Sequence, residues 1–317
     1  MSAMNRVQFQ PGLSLEAFYE RYGTEEKCQA ELEASRWPKG FCCPSCRESR
    51  PSRFEREGRA YWQCHRCRKQ RTVISGTIFQ ATKLPLKRWF LAMHLLTQAK
   101  NNVSALELMR HLGVCYKTAW LVKHKLLEVM TEREEDRVLA GRVEIDDAYL
   151  GGEKEGKPGR GSENKISFVA AVQTSDDGHP LLICLKRLPF TQEAIDAWAN
   201  RSLSASSYVL SDGLKCFTAL EGNVARHEAH VVGSGRQAAQ HPAFRWVNTV
   251  LGNLKSSISG TYHAFKFAKY ADRYLGEVQY RFNRRFDLSA ILVRLTRAAA
   301  ATRPHPIAKI RLAEIGR

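Results

Sequence analysis

The chain is short of negative charge. Of its 317 residues, 32 are Asp or Glu against 49 Lys or Arg, a formal net charge of +17 and a pI of about 9.6. A field of that sign works against basic partners and favours a polyanion. Long apolar runs are also missing. No stretch approaches the ~18 consecutive apolar residues a membrane-spanning helix needs. The first 23 residues, MSAMNRVQFQPGLSLEAFYERYG, lack the apolar core of a secretory signal. Together these predict a cytoplasmic protein with no membrane partner. No internal repeat and no low-complexity tract occurs, which excludes solenoids and fibrous classes. What remains is ordinary for globular domains: 44% hydrophobic and 26% charged residues, in a length suited to two or three domains. The nine cysteines are expected as thiols or metal ligands rather than disulfides.

Residues 13–35 read as one amphipathic helix, with Leu15, Phe18 and Tyr19 at helical spacing. From there to about residue 80 the chain is rich in Cys, Arg, Gly and Pro. Pro85 to Met130 is helical in pattern, and 131–137 (TEREEDR) reads as a charged linker. From Gly141 the texture alternates. VEIDDAYL, KISFVAAVQT, PLLICLKRL and SYVLSD predict strands, and TQEAIDAWANRSL predicts a helix capped by Thr191. The run 151–165 reads as a mobile loop, and the chain beyond 243 as mostly helical.

Two C-x2-C knuckles, Cys43–Cys46 and Cys64–Cys67, are separated by 17 residues. Four thiolates on paired turns can surround one Zn²⁺ tetrahedrally, and in a ribbon with so little core the metal supplies folding energy. Only Cys43, not Cys42, gives the x2 spacing to Cys46. Arg47, Arg50, Arg66, Arg68 and Arg71 surround the knuckles. Such ribbons contact nucleic acid or protein. His65 is expected to face solvent, and Cys28, Cys115, Cys184 and Cys216 to lie in the core.

Residues 103–127 predict a helix-turn-helix. Ser104 caps ALELMRHL, Leu112-Gly113-Val114 turns the chain, and a second helix opens at Tyr116. Lys117, Lys123, His124 and Lys125 would meet phosphates or base edges, with Trp120, Leu121 and Leu127 in the core. The same pattern also fits a plain helical hairpin.

Two-metal phosphodiester chemistry needs carboxylates that converge from different elements. Strand alternation in Arg142–Leu150 places Glu144 and Asp146 on one face and Asp147 on the other, with Asp146 the candidate ligand. An edge strand with solvated acids is the alternative. The strand ending at Ser211-Asp212-Gly213 presents Asp212 at its carboxyl end, where a plain turn is also common. No carboxylate occurs from Ala229 to Ala271, so a helix completing this site must offer an amide. Asn248 and Lys255, seven residues apart, share a helix face; Asn253, the competing amide, lies on another. Either asparagine could instead be a cap or turn residue.

These segments together, RWPKGFCCPSC, YWQCHRCRKQRTVISGTIF, VSALELMRHLGVCYKTAW, VEIDDAYLGG, VLSDG, VNTVLGNLKSSISGTYH and RYLGEVQYRFNRRF, resemble bacterial insertion-sequence transposases of the DDE superfamily, in the zinc-ribbon, ISXO-like branch. The resemblance implies an α/β ribonuclease-H-like catalytic domain behind a zinc ribbon and a helix-turn-helix. It implies Asp146 and Asp212 as catalytic acids and Asn248 as third ligand, with Lys255 at the family's basic position seven residues on. Some members of the branch are similar in using Asn rather than Glu there. Structural Zn²⁺, catalytic Mg²⁺ or Mn²⁺, and DNA contacts from Arg281, Arg284 and Arg285 are implied as well. So are double-stranded DNA as partner, a homo-oligomer on DNA, and a bacterial, nucleoid-associated setting. The expected division is 1–35 helical, 36–80 ribbon, 81–137 helix-turn-helix, 138–290 catalytic and 291–317 helical tail. A non-catalytic DNA-binding regulator built on a decayed nuclease domain remains open, as does a ribosomal or RNA-processing ribbon protein.

Overall fold

The computed structural model describes residues 6–151, 165–231, 241–262 and 266–312. The loop expected at 151–165 falls, apart from its two end residues, outside them. The chain divides into one unit of residues 1–129 with 285–312, and another of 130–284 with 313–317.

In the first unit the expected long helix is two. Ser14 caps α1 (Leu15–Tyr22), which stops at Gly23, and the Thr24 side chain starts α2 (Glu25–Arg36) by accepting from the Lys27 amide. The break turns the apolar stripe. Phe18 and Tyr22, four apart, are buried, whereas Leu15 and Tyr19 are about half exposed. A three-stranded antiparallel sheet follows, β1 (Pro51–Arg56), β2 (Arg59–Cys64) and β3 (Gln70–Arg71). Its inner face rests Trp62 on Trp37, which also meets Phe41, with ring centroids 5.2 and 5.0 Å apart.

α3 (Leu86–Gln98) is buried on most sides, with Phe90, Met93 and Leu96 fully covered. Its cap residue is Pro85, which has no side-chain acceptor. The Glu25 carboxylate substitutes, accepting from the Leu86 and Lys87 amides at 2.8 and 3.1 Å. α4 (Ala105–Leu112) is capped by Ser104 and stopped by Gly113 at φ 61°, the left-handed conformation a glycine adopts without strain. The division between the units falls inside α5 (Tyr116–Glu132).

The second unit holds a five-stranded sheet: β4 (Arg142–Leu150), β5 (Ile166–Thr174), β6 (Pro180–Arg187), β7 (Tyr208–Ser211) and β8 (Arg226–Ala229), in the order β6-β5-β4-β7-β8. β4 pairs with β5 and β5 with β6 antiparallel, while β7 and β8 run parallel to β4. Four of these strands lie where alternation predicts them; the short, polar β8 carries no such signal. Odd-numbered residues of β4 pack with α6 (Gln192–Ser202), capped by Thr191, and with the 3-10 segment Lys215–Gly222. The other face, with Ala148 and Leu150, packs under α7 (Arg245–Tyr262) and α8 (Phe267–Phe282). α7 buries Val247, Val250, Leu251, Leu254 and Ile258. At ~1.5–3 kcal/mol each, that stripe contributes roughly 7–15 kcal/mol as an upper bound.

α8 also closes the β6 edge of the sheet. The Gln279 carbonyl oxygen accepts from the Leu185 amide at 2.9 Å. Asn283 accepts from the Ile183 amide at 2.7 Å and donates to the Ile183 carbonyl at 3.0 Å. An exposed edge strand invites pairing with another chain, and two amide side chains here take the ladder positions instead. Elsewhere along α8, Gly276 meets Thr131 of α5 so closely that an added Cβ would sit 2.3 Å from its hydroxyl and 3.0 Å from its Cα.

The tail does not stand apart. α9 (Ile291–Ala301) packs against α2 and α3 in the first unit, and α10 (Ile307–Arg311) follows it. Gln98 donates to the Leu288 carbonyl at 2.9 Å, and Gln10 accepts from the Leu288 amide at 2.9 Å.

Candidate metal centres and active site

The two knuckles repeat one geometry. Arg47 N–H donates to the Cys43 carbonyl at 2.9 Å and Arg68 N–H to the Cys64 carbonyl at 3.0 Å. Both arginines sit at positive φ, 63° and 60°, where each turn folds back. The Cys43 and Cys67 sulfurs lie 3.6 Å apart and those of Cys46 and Cys64 3.5 Å, all four within 4.8 Å of one another. Tetrahedral zinc with Zn–S of ~2.3 Å requires sulfurs about 3.8 Å apart, so the donor set fits a structural Zn²⁺. Cys42 is exposed and outside the cluster; His65 is exposed and meets the Ser52 hydroxyl at 3.0 Å. Cys28, Cys184 and Cys216 are buried as expected, but Cys115 is exposed, its thiol 3.2 Å from the Thr118 hydroxyl at the start of α5.

The hairpin β1–β2 turns a basic, aromatic face outward. Phe54 and Tyr61, cross-strand partners, stack at 5.6 Å and 12°. The Arg56 guanidinium lies 5.8 and 5.7 Å from their rings, and Arg59 pairs across the strands with Arg56. Residues 36–80 carry eleven basic and three acidic side chains.

In the second unit the acids converge. β7 ends at Ser211, paired with Ile145, so β4 runs on past it without a neighbour on that side. Asp212 fills the space beyond the strand end. Its Oδ1 accepts from the Leu214 amide at 3.1 Å across Gly213, whose φ is +78°. By its place in the strand Asp146 belongs to the face of β4 that packs under α7, and Asp147 to the other. Yet the carboxylates of both, with Asp212, come within 4.8 Å of one another. The strand end explains this, because a side chain at the edge reaches both faces. Burial, then repulsion from Asp212 and Asp147, pushes the Asp146 carboxyl up to about 7, against a smaller pull down from Lys255. Three acids crowded this way call for cations, and hard oxygen donors suit Mg²⁺ or Mn²⁺.

α7 supplies the opposite wall of a cleft of ≈ 970 Å³. Asn248, Gly252 and Lys255 line it along one helical face, with Asp146 and Asp147 across from them. Asn253 is exposed and is not among the lining residues. Lys165 and Arg245 add positive charge to the rim. Glu144 does not enter the cleft. It is 1% exposed, bound to Arg142 at 2.7 Å, and accepts from the Trp246 and Val247 amides at 2.8 and 3.0 Å. Sequence reasoning missed Asp147 as a member of the cluster and Glu144 as a helix cap. Their acidity on an apolar strand was the only signal.

The expected DNA-contacting cations divide. Lys117 is exposed at the start of α5, beside exposed Tyr116, and Lys255 lies in the cleft. Lys123 is a correction. It is fully buried and donates to the Val103 carbonyl, on a stretch of α5 where Val122, His124 and Leu126 are buried with it. His124 is buried as well. Lys125 also points inward, donating to the Ile78 carbonyl at 3.1 Å, and burial lowers its pKa. Leu127 is core, while Trp120 and Leu121 are half-buried.

Two of the three arginines, Arg281 and Arg284, are corrections too. Arg284 pairs with buried Glu134 and stacks 3.6 Å from the Tyr280 ring. Burial lowers the pKa of Arg281, with Glu277 and Tyr262 pulling it back up. Arg285 lies 4.2 Å over Phe286, and burial brings its pKa to about 10. A guanidinium held by a buried carboxylate is spent on packing.

Among the described residues, no helix is long and apolar enough to cross a membrane. Comparison with known proteins agrees with both centres. Residues 23–70 match the transposase zinc-ribbon domain and residues 138–283 the ISXO2-like transposase domain. An uncharacterized protein in transposable element ISH50 of Halobacterium salinarum is 25% identical over 274 residues, covering 78% of this chain and 91% of that protein. With the cysteine cluster inside one matched segment and the acidic cluster inside the other, the chain carries a transposase zinc-ribbon domain and an ISXO2-like transposase domain.

Proposed function

We propose that this protein is a DDE-type transposase: it binds the terminal inverted repeats of an insertion sequence, cleaves DNA there and joins the ends to a target. The observation that carries the reading is the meeting of the Asp146, Asp147 and Asp212 carboxylates, the first two of which line one cleft opposite Asn248 and Lys255. The strand order β6-β5-β4-β7-β8, antiparallel at first and then parallel, supports a ribonuclease-H-like catalytic domain. Asp146, Asp212 and Asn248 would hold two Mg²⁺ or Mn²⁺ ions, and Asp147 is placed to assist. Such ions, when bound, supply charge stabilisation to the attacking and leaving oxygens of an in-line displacement. Lys255 binds a phosphate of the entering strand, and Lys165 and Arg245 steer it. In the first unit, Arg56, Arg59, Phe54 and Tyr61 of the ribbon hairpin fit a phosphate backbone and an exposed sugar or base edge. α4 and α5 act as a helix-turn-helix that offers only its first exposed turn, Tyr116 and Lys117, to the groove. Pairing two element ends makes the working form a homo-oligomer on DNA in the nucleoid of a cytoplasm.

The neutral amide at Asn248 favours a second reading, a DNA-binding regulator without catalysis, since an amide oxygen holds a hard cation more weakly than a carboxylate. Strand transfer with Mg²⁺ or Mn²⁺ on a linear fragment carrying the element's own ends separates the two. Transfer that is lost in Asp146→Ala and Asp212→Ala supports the transposase. Transfer that survives both substitutions refutes it. Asn248→Ala compared with Asn253→Ala identifies the third ligand.

A further inference from the structure

We propose that Glu144 is a positioning residue for the third metal ligand: its buried carboxylate fixes the first turn of α7 to β4 and so sets the reach of Asn248 toward Asp146. The inference rests on the Asp-Asp-Asn reading of the cleft.

The first turn of a helix leaves backbone N–H groups without partners and carries partial positive charge. α7 has no acidic residue in its own first turn. Its acceptor comes from 102 residues earlier in the chain. Glu144 Oε2 accepts from Trp246 N–H at 2.8 Å and Val247 N–H at 3.0 Å, and Oε1 accepts from Arg142 Nη1 at 2.7 Å. Arg142 extends the clamp, its Nη2 donating to the Ala243 carbonyl at 3.4 Å and its Nη1 to the Thr174 hydroxyl at 3.3 Å. With three donors on its two oxygens, Glu144 is committed to the helix rather than to a metal.

Position makes this more than a cap. Val247, one of the two amides held, immediately precedes Asn248. Glu144 and Asp146 lie on the same face of β4, one pleat repeat or ~6.6–6.8 Å apart. One strand therefore carries the first ligand and grips the helix that carries the third. Metal sites tolerate ligand displacements of only about 0.2 Å. Partners that orient ligands typically matter ~10–100-fold in metal affinity. A neutral amide binds hard cations more weakly than a carboxylate and gains most from being held in place.

The test is Mn²⁺ binding to the full chain, read from the electron paramagnetic resonance of free Mn²⁺, in wild type, D146A, N248A, E144A, E144Q and the double variant E144A/N248A. Melting in EDTA is followed alongside. D146A and N248A should both weaken binding. E144A should weaken it by about 10-fold. E144Q, whose amide oxygen can still accept from α7 but which loses the Arg142 ion pair, should fall between wild type and E144A; it carries the test if E144A does not fold. The double variant should bind no more weakly than the weaker single one, because Glu144 acts through Asn248. Wild-type Mn²⁺ affinity in folded E144A or E144Q overturns the proposal. So do losses that multiply in the double variant, since a merely structural cap would act independently of Asn248. Unchanged binding in D146A or N248A would instead bring down the underlying site reading.

Discussion

The metal-free cleft should be a source of instability that one amide can relieve. Asp146 rises from an ordinary 3.8 to about 7 through burial first, then through Asp212 and Asp147. A raised carboxyl pKa means that the folded state binds the proton more tightly than the unfolded one. Folding is therefore favoured most at low pH, and stability is lost as pH rises from about 4 through about 7. Three pKa units correspond to roughly 4 kcal/mol as an upper bound. Burial accounts for the largest share, so removing the Asp212 charge should return on the order of 1–2 kcal/mol. Asp212→Asn keeps the shape and an oxygen acceptor for the Leu214 amide. At pH 8 in EDTA it should melt ~2–8 °C above wild type. At pH 5, where Asp146 is already protonated, the two should coincide. Millimolar Mn²⁺ should then raise the wild-type transition at pH 8 and barely move the variant, because ligand binding stabilises only what it binds. Scanning calorimetry over pH 5–8 provides the measurement. A variant less stable than wild type at pH 8, or an equal gain at both pH values, would refute the electrostatic account.

Three other outcomes follow from the geometry. Purified protein should contain one zinc per chain by elemental analysis, and Cys46→Ser should contain none and expose the ribbon to proteolysis. Gly276→Ala, a change that ordinarily favours a helix by ~1 kcal/mol, should destabilise by about 1–3 kcal/mol in denaturant melts, because the new methyl meets Thr131. Asn283→Ala should cost on the order of 2–4 kcal/mol, since it orphans the Ile183 amide and carbonyl together with one contact to Glu134.

Much of the fold was legible where its signals are local. The strands of VEIDDAYL and SYVLSD follow from alternation, and the Ser104 and Thr191 caps from residue type and position. Asp146 and Asp212 follow from where α/β sheets present side chains. The rest depended on long-range packing. Charge suggested that Lys123, Lys125, Arg281 and Arg284 face DNA, yet each finds a carbonyl, carboxylate or ring inside its own unit. Period-2 reasoning assigned Asp146 and Asp147 to opposite faces and could not foresee that β7 stops early enough for both to share Asp212. Nothing in 291–301 announces that it returns to α2 and α3. Glu144 was visible as an acid but not as a cap, because its partner amides lie about a hundred residues on.

The side-chain amides that close β6 have a consequence in time. Leu185 waits for Gln279 and Ile183 for Asn283, separations of 94 and 100 residues. At ~5–20 residues per second of synthesis, β6 is made roughly 5–20 s before the helix that covers its edge. During that interval an apolar strand, PLLICLKR, offers an unpaired ladder to any neighbouring nascent chain. A chain that stops short of α8 would keep that ladder open for good. Truncation before residue 279 should therefore yield aggregates rather than a smaller soluble domain, whereas full-length chains escape once translation passes Asn283.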